Sequence, residues 1–137
     1  CRKKYGEAVY IVGFGTDHGT VAAASDWDEP MEIMQVRPAR PDSYERICHD
    51  TALPAFSCAL RHPRREALRD ELAEARLERA IGVVYLPDAE RQSHYFHAVL
   101  PKQFDEYVWF DETRAVTPID GPVLHVGDAP ETYPFGV

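Results

Sequence analysis

The alternation of apolar and polar positions divides the chain into short apolar segments separated by polar turns. Residues 8–12 (AVYIV) show no polar alternation, which predicts a strand buried on both faces. The next segment, GFGTDHG at residues 13–19, carries three glycines and is interpreted as a loop at the end of that strand. Residues 31–36 (MEIMQV) alternate more loosely and predict a second strand.

Two helices are predicted from their start signals. Asp42 followed three residues later by Glu45 matches a capping box, so a short helix is expected after Asp42. Pro63 predicts the start of a longer helix, because proline suits the first helical position. Apolar side chains recur along that helix at the spacing of one inward face. These residues are Leu68, Leu72 and Ala75.

The remaining apolar segments predict further strands at residues 55–60 (AFSCAL), 81–86 (IGVVYL), 93–100 (SHYFHAVL) and 108–110 (VWF). Residues 101–107 (PKQFDEY) predict one helical turn. Strands interspersed with helices are typical of the α/β class. We therefore expect a portion of a three-layer α/β sandwich, with a mostly parallel or mixed sheet flanked by helices.

Both ends of the chain carry informative signals. Three cations at residues 2–4, followed by Gly6, are typical of the end of a helix, so the chain is expected to start inside an αβ unit and to be a piece of a longer protein. The other end carries four prolines at positions 118, 122, 130 and 134. We expect one α/β domain at residues 1–116 and an irregular, proline-rich tail at residues 117–137.

Composition narrows the possible partners and compartment. The chain has 15 Lys and Arg against 23 Asp and Glu, a formal net charge of -8 that would repel a phosphate backbone, so nucleic acid is not expected as a partner. No apolar stretch approaches the ~18 residues of a membrane span. Cys1, Cys48 and Cys58 show neither a disulfide framework nor a zinc ribbon spacing, which favours a cytoplasmic protein.

The glycine segment offers the first candidate chemistry. Gly13, Gly15 and Gly19 depart from the GxGxxG spacing of dinucleotide sites, and neither a Walker motif nor a nucleophile elbow is present. Asp17 and His18 lie where open α/β sheets place their ligands, if the segment is a loop at the carboxyl end of a strand. They are candidates to line a cleft, and the alternative is a solvated turn.

Two other patterns have the residue types of a metal site or a catalytic triad, but the predicted elements do not bring the side chains together. His94 and His97 have a spacing that suits one metal ion on a helix, but in a strand residues three apart point to opposite faces. One histidine is then expected in the sheet and the other toward a cleft or solvent, so no metal or cofactor is expected. Residues 48–50 (CHD) resemble a triad, yet neighbours on a helix do not face each other.

Several long stretches resemble the C-terminal part of the erythromycin esterase-like family, also known as succinoglycan-biosynthesis-like proteins. They are VGFGTDHGTVAAASDWDEPMEIMQVRPARPDSYE, RLERAIGVVYLPDAERQSHYFHAVLPKQFDEYVWFDETRAVTPI and the closing ETYPFG. The resemblance implies a three-layer α/β hydrolase that cleaves an ester or macrolide lactone with an activated water. It also implies that the catalytic Glu and His residues, including a His-x-x-His element, precede the segment that corresponds to Tyr5 here.

None of those catalytic motifs is present in this chain, and neither His94-x-x-His97 nor Asp17-His18 is carried over as catalytic. This portion is expected to supply part of a cleft wall through Asp17, His18, His94 and Tyr95. Its expected partners are a small ester or lactone substrate and the remainder of the same polypeptide. The alternative is a non-catalytic binding or assembly module of α/β fold.

Overall fold

A computed structural model describes residues 2–117 of the chain. The predicted proline-rich tail therefore lies outside the described residues, except for Thr117. The helices are α1 (Arg2–Tyr5), α2 (Tyr44–His49), α3 (Glu66–Glu71), α4 (Glu90–Ser93) and α5 (Leu100–Gln103). The strands are β1 (Val12–Ala23), β2 (Glu32–Val36), β3 (Ala55–Ala59), β4 (Arg76–Arg79), β5 (Tyr95–Ala98) and β6 (Glu106–Thr113).

Four of the strands form a mixed sheet in the order β2-β1-β6-β3. The central strands β1 and β6 run parallel, in a register that pairs Val12 with Glu106. The outer strands β2 and β3 are both antiparallel to their neighbours. Strands β4 and β5 form a separate antiparallel pair. The mixed α/β class with a mixed sheet and flanking helices is confirmed.

The glycine segment lies within the longest strand and is not a loop, so the prediction for residues 8–19 is wrong in its boundaries. β1 begins only at Val12 and runs through all three glycines. Aromatic rings explain two of them: a Cβ on Gly13 would collide with the Phe104 ring, and one on Gly15 would collide with the Tyr107 hydroxyl. Glycine lets these rings pack directly against the strand backbone. Gly19 has a φ of 121° and lies against the backbone of Thr113.

The two faces of the four-stranded sheet differ. On the inner face, Tyr107 and Trp109 of β6 are almost fully buried, and they join a core with Tyr44 and Cys48 of α2. The outer face carries Phe14 (68% exposed), Ile33 (70%) and Phe110 (43%). Within residues 2–117, therefore, one face of the sheet is covered and the other presents apolar side chains.

The strand predicted at residues 81–86 is wrong. That segment makes only an isolated bridge between Ala24 and Val84, and the strand in this part of the chain is β4 instead. β4 has the polar sequence RLER, yet Leu77, Glu78 and Arg79 are buried. Charged side chains can be buried when they are paired inside the protein. A strand that buries such residues has no hydrophobic pattern, so β4 was not predicted from the sequence.

Helix starts follow the predictions only in part. The side chain that caps α2 is Ser43, whose Oγ accepts a hydrogen bond from Arg46 N at 3.3 Å, and not Asp42. The predicted helix after Pro63 is a 3-10 turn at Pro63–Arg65 followed by the short α3, and Ala75 is exposed beyond its end. The helix end before Gly6 is confirmed, since α1 stops at Tyr5 and Gly6 has a φ of 51°.

Candidate functional site

Asp17 lies in the middle of β1 with a nearly buried side chain. Its Oδ1 accepts a hydrogen bond from the backbone N–H of Ala39 at 3.1 Å. Its Oδ2 lies 2.9 Å from His18 Nδ1 and 3.6 Å from His49 Nδ1. One fixed carboxylate oxygen therefore faces two imidazoles.

The second imidazole is held by a second carboxylate. His49 is the last residue of α2, and its Nδ1 lies 2.7 Å from Asp111 Oδ1 in β6. Because α2 packs across β1 and β6, it brings His49 to the place where both strands present an aspartate. The rings of His18 and His49 are 6.4 Å apart and nearly perpendicular. We refer to His18, Asp17, His49 and Asp111 as the histidine–aspartate cluster.

The geometry of the cluster determines which ring nitrogens are available. An ionised carboxylate only accepts hydrogen bonds, so Nδ1 of each histidine carries a proton. Nε2 of His18 and of His49 has no hydrogen-bond partner among residues 2–117. The hydrogen bond to Asp111 raises the pKa of His49, with a further contribution from the charge of Asp17. Both rings are thus oriented to act through Nε2, as acid or base.

The cluster lies at the wall of an open cavity of about 850 Å³. Asp17, His18 and His49 line it, together with other residues of α2, with the ends of β2 and β6, and with residues that follow these two strands. Those that bear a full charge are Arg37, Arg46, Glu112 and Arg114. A polar cavity of this size accommodates a small molecule or part of a larger one.

A buried arginine fixes the strand behind the cluster. The guanidinium of Arg79 donates to the carbonyl oxygens of Thr16 at 2.6 Å and Asp17 at 2.8 Å. It also pairs with Glu90 Oε1 at 3.1 Å, and Tyr85 donates to the same oxygen at 2.8 Å. These charge-assisted contacts hold the backbone of Asp17 in place from the interior.

The structure places His94 and Tyr95 in the interior beside β4, apart from the histidine–aspartate cluster. His94 Nε2 accepts a hydrogen bond from Leu86 N at 2.8 Å, and its Nδ1 lies 3.2 Å from the carbonyl oxygen of Ala80. Tyr95 is buried, and its hydroxyl accepts a hydrogen bond from Arg40 N at 3.2 Å. Both side chains are occupied by backbone groups, and their role as cleft-lining residues stays a prediction.

Other residues considered from the sequence lack site geometry. His94 is buried just before β5 whereas His97, within β5, is exposed. Burial raises the pKa of the Cys48 thiol to about 12, which leaves it unreactive at neutral pH. Among residues 2–117 no group of three or more His, Cys, Asp or Glu side chains is arranged to hold a metal ion.

Sequence reasoning missed His49 and Asp111 as site residues. They are 62 residues apart, and no spacing rule connects a helix end with a strand at that distance. The sequence pattern of residues 48–50 (CHD) resembles a triad, but neighbours on a helix do not face each other. The actual partner of His49 is contributed by β6. Only the parallel pairing of β1 with β6, which was not predicted, brings the two aspartates together.

Two solved crystal structures have a fold similar to that of this chain. The chain resembles a crystal structure of a Bacillus cereus protein, with a TM-score of 0.67 and 19% identity over 82% of this chain and 27% of that one. It also resembles a crystal structure of a succinoglycan biosynthesis protein, with a TM-score of 0.64 and 16% identity over 82% of this chain and 26% of that one. The chain thus spans about a quarter of the length of these proteins.

No helix within residues 2–117 has the length and apolar character needed to cross a membrane.

The strongest link to known proteins comes from the sequence itself, since the profile of the erythromycin esterase family matches residues 1–113, most of the chain. The chain belongs to the erythromycin esterase family.

Proposed function

We propose that this chain is the C-terminal portion of a hydrolase that cleaves a carboxylic ester or macrolide lactone by means of an activated water. The family match over residues 1–113 carries this proposal. In such a reaction one polar group acts as general base toward water, and others stabilise the oxyanion of the tetrahedral intermediate. The main catalytic Glu and His residues are expected upstream of this chain.

Within that hydrolase, this portion is proposed to form part of the substrate cleft. Asp17 and His18 line the cavity of about 850 Å³, and Asp17 orients the ring of His18 so that Nε2 is available to a ligand. His94 and Tyr95 are likewise proposed as cleft-lining residues, and the backbone N–H groups of Leu86 and Arg40 donate hydrogen bonds to their side chains. His18 then contacts the substrate without attacking it.

The remainder of the same polypeptide is proposed as the partner of the outer sheet face. Three large apolar side chains there, Phe14, Ile33 and Phe110, are exposed within residues 2–117. A mixed sheet with parallel central strands is usually covered on both faces. We further propose that residues 1–116 form the α/β portion, that residues 117–137 form its tail, and that the protein is cytoplasmic.

The test is to purify the full-length protein and assay a panel of simple esters and macrolide lactones. We expect turnover of at least one member. His18→Ala should raise KM several-fold while kcat falls by less than about tenfold, because a residue that only contacts substrate removes mainly binding. His97→Ala is the matched control, since His97 is an exposed histidine on β5, and it should leave both constants unchanged.

A folded full-length protein that turns over no ester on a broad panel would exclude the hydrolase. The second candidate, a binding or assembly module of α/β fold, would then be favoured, and the exposed apolar face would be its assembly surface. The mass of the native product separates the two: about 15.5 kDa favours the module. A mass several times larger favours the hydrolase.

A further inference from the structure

The cavity beside the histidine–aspartate cluster carries more cationic than anionic groups, in a chain whose formal net charge is -8. Arg37, Arg46 and Arg114 line it, against the carboxylates of Asp17 and Glu112. Elsewhere on an acidic protein, negative ligands are repelled over most of the surface. Asp88, Asp50 and Asp111 adjoin the cavity and pair with Arg37, Arg46 and His49. The three guanidinium groups, rather than a net positive charge, are therefore the feature of the cavity that suits an anionic ligand.

Within residues 2–117, the side chains of two of these arginines pair only with exposed carboxylates. Arg37 Nη2 lies 2.5 Å from Asp88 Oδ1, and the Asp88 side chain is 99% exposed. Arg46 Nε lies 2.9 Å from Asp50 Oδ1, and that carboxylate is 58% exposed. Solvent-exposed ion pairs contribute little to stability, because both partners remain hydrated. A ligand in the cavity can therefore displace Asp88 and Asp50 at small cost.

The two histidines add donors that depend on protonation. Nδ1 of each ring is already directed at an aspartate, so a second proton resides on Nε2, which has no partner among residues 2–117. The charged groups around His49 are Asp111 on β6, Asp17 on β1 and Arg46 on α2. Asp111 and Asp17 raise the pKa of His49, more than burial and Arg46 lower it. The doubly protonated ring is thus favoured at mildly acidic pH.

We propose that this cavity binds a small oxyanion, a carboxylate or a phosphate, through the guanidinium groups of Arg37, Arg46 and Arg114 and through Nε2–H of protonated His18 and His49. Planar guanidinium groups match the geometry of both anions, and charge-assisted hydrogen bonds are among the stronger polar contacts. The site requires no turnover. It goes beyond the proposed ester hydrolysis, and neither depends on the other.

The experiment is isothermal titration calorimetry of the full-length protein with sodium acetate and, separately, with inorganic phosphate, at about pH 6 and about pH 8. Acetate does not titrate in this range, so the pH dependence of its binding comes from groups of the protein, and the histidine variants assign it. We expect acetate or phosphate to bind at least fivefold more tightly at the lower pH. Binding of only one anion identifies the ligand class as carboxylate or phosphate.

Matched variants assign the residues. Arg114→Gln should weaken binding about fivefold at both pH values, and His49→Gln should remove the pH dependence for acetate. Arg64→Gln and His97→Asn are the controls, because both residues are exposed and neither lines the cavity. If His49→Gln does not fold, His18→Gln and Arg114→Gln still decide the matter.

Two results would overturn the proposal: no binding of either anion at tens of millimolar, or equal losses in Arg114→Gln and Arg64→Gln. Because binding is measured without turnover, failure to hydrolyse esters leaves this site standing. Absence of binding likewise leaves the hydrolase proposal standing.

Discussion

Glu45 and Glu78 place two carboxyl groups in the interior, and each has one oxygen without a partner among residues 2–117. Glu45 Oε1 accepts a hydrogen bond from Arg79 N, and Glu78 Oε1 accepts one from Gln103 Nε2 at 3.2 Å. Burial, together with the charge of Glu45, raises the pKa of Glu78 from 4.5 to about 7. A folded state that holds this proton more tightly than the unfolded state has a stability that depends on pH.

We predict that the free energy of unfolding falls as pH rises from about 4.5 to about 7. Below this pH range Glu78 is protonated in both the folded and the unfolded state, so it does not lower the free energy of unfolding. Above it the folded state must ionise a buried carboxyl, at a cost of up to about 3 kcal/mol. Glu78→Gln should abolish this part of the pH dependence and be the more stable protein near pH 8, as measured by urea unfolding.

Glu71→Gln serves as the control, since Glu71 is an exposed carboxylate at the end of α3. It should keep the pH profile of the unsubstituted protein. An identical slope in Glu78→Gln and in the unsubstituted protein would show that Glu78 ionises normally in the folded state.

At the level of single residues, the sequence allowed Asp17 and His18 to be singled out because they are adjacent, and the structure pairs them at 2.9 Å. It did not allow His49 or Asp111 to be assigned to the same site. Their contact depends on the packing of α2 across two parallel strands, which no local pattern encodes. Adjacent residues can be judged from sequence, whereas distant partners require the topology.

At the level of elements, the start of α2 shows which of two residues, Ser43 or Asp42, caps the helix. Ser43 is fully buried, and its hydroxyl donates to the carbonyl of Arg40 at 2.8 Å besides accepting from Arg46 N. Asp42 has a side chain that is 56% exposed, and among the described residues it pairs only with Arg40. The cap therefore belongs to Ser43, although both residues have suitable chemistry.

We predict that Ser43→Ala lowers the free energy of unfolding by about 1–2 kcal/mol, because it removes the cap and leaves the Arg46 N–H without its partner. Asp42→Ala should change it by less than about 0.5 kcal/mol, as expected for a surface ion pair. Chemical denaturation of both variants provides the measurement. If Asp42→Ala lowered the free energy of unfolding more than Ser43→Ala, Asp42 would be the capping residue instead.

At the same level, the sequence predicted the existence of β2, β3, α2 and the strand around Trp109, but misplaced the longest strand. Glycine is depleted in strands, so residues 13–19 read as a loop. Phe104 and Tyr107 require Gly13 and Gly15 for close packing, and these aromatic residues lie about 90 residues away in the sequence. β4 was missed for the opposite reason, because its charged residues find partners inside the protein.

For the whole molecule, the outer sheet face allows a test between the two candidate functions. The face would be covered in a hydrolase and open in a stand-alone module. If the rest of the polypeptide covers Phe14, then Phe14→Ser should destabilise the full-length protein by roughly 2–4 kcal/mol, as for other buried aromatic truncations. The same change in the 137-residue chain alone should be near neutral, because Phe14 is already 68% exposed there. Thermal unfolding of the full-length protein and of the 137-residue chain, each with and without the substitution, measures the difference.

Val83→Ser is the control for that comparison, since Val83 is 66% exposed but lies outside the four-stranded sheet. It should have the same small effect in both lengths of protein. Equal effects of Phe14→Ser in the two lengths would mean that the outer face stays open, and would favour the assembly module.

The parallel pairing of β1 with β6 also governs how the molecule folds. The first strand and the last strand are neighbours at the centre of the sheet, although about 90 residues separate them in the sequence. The entropy of closing so long a loop must be overcome before the two central strands can pair with each other. During synthesis β1 therefore leaves the ribosome with an unpaired edge and waits for almost the entire domain. We therefore expect the pairing of β1 with β6 to form late and the domain to fold slowly.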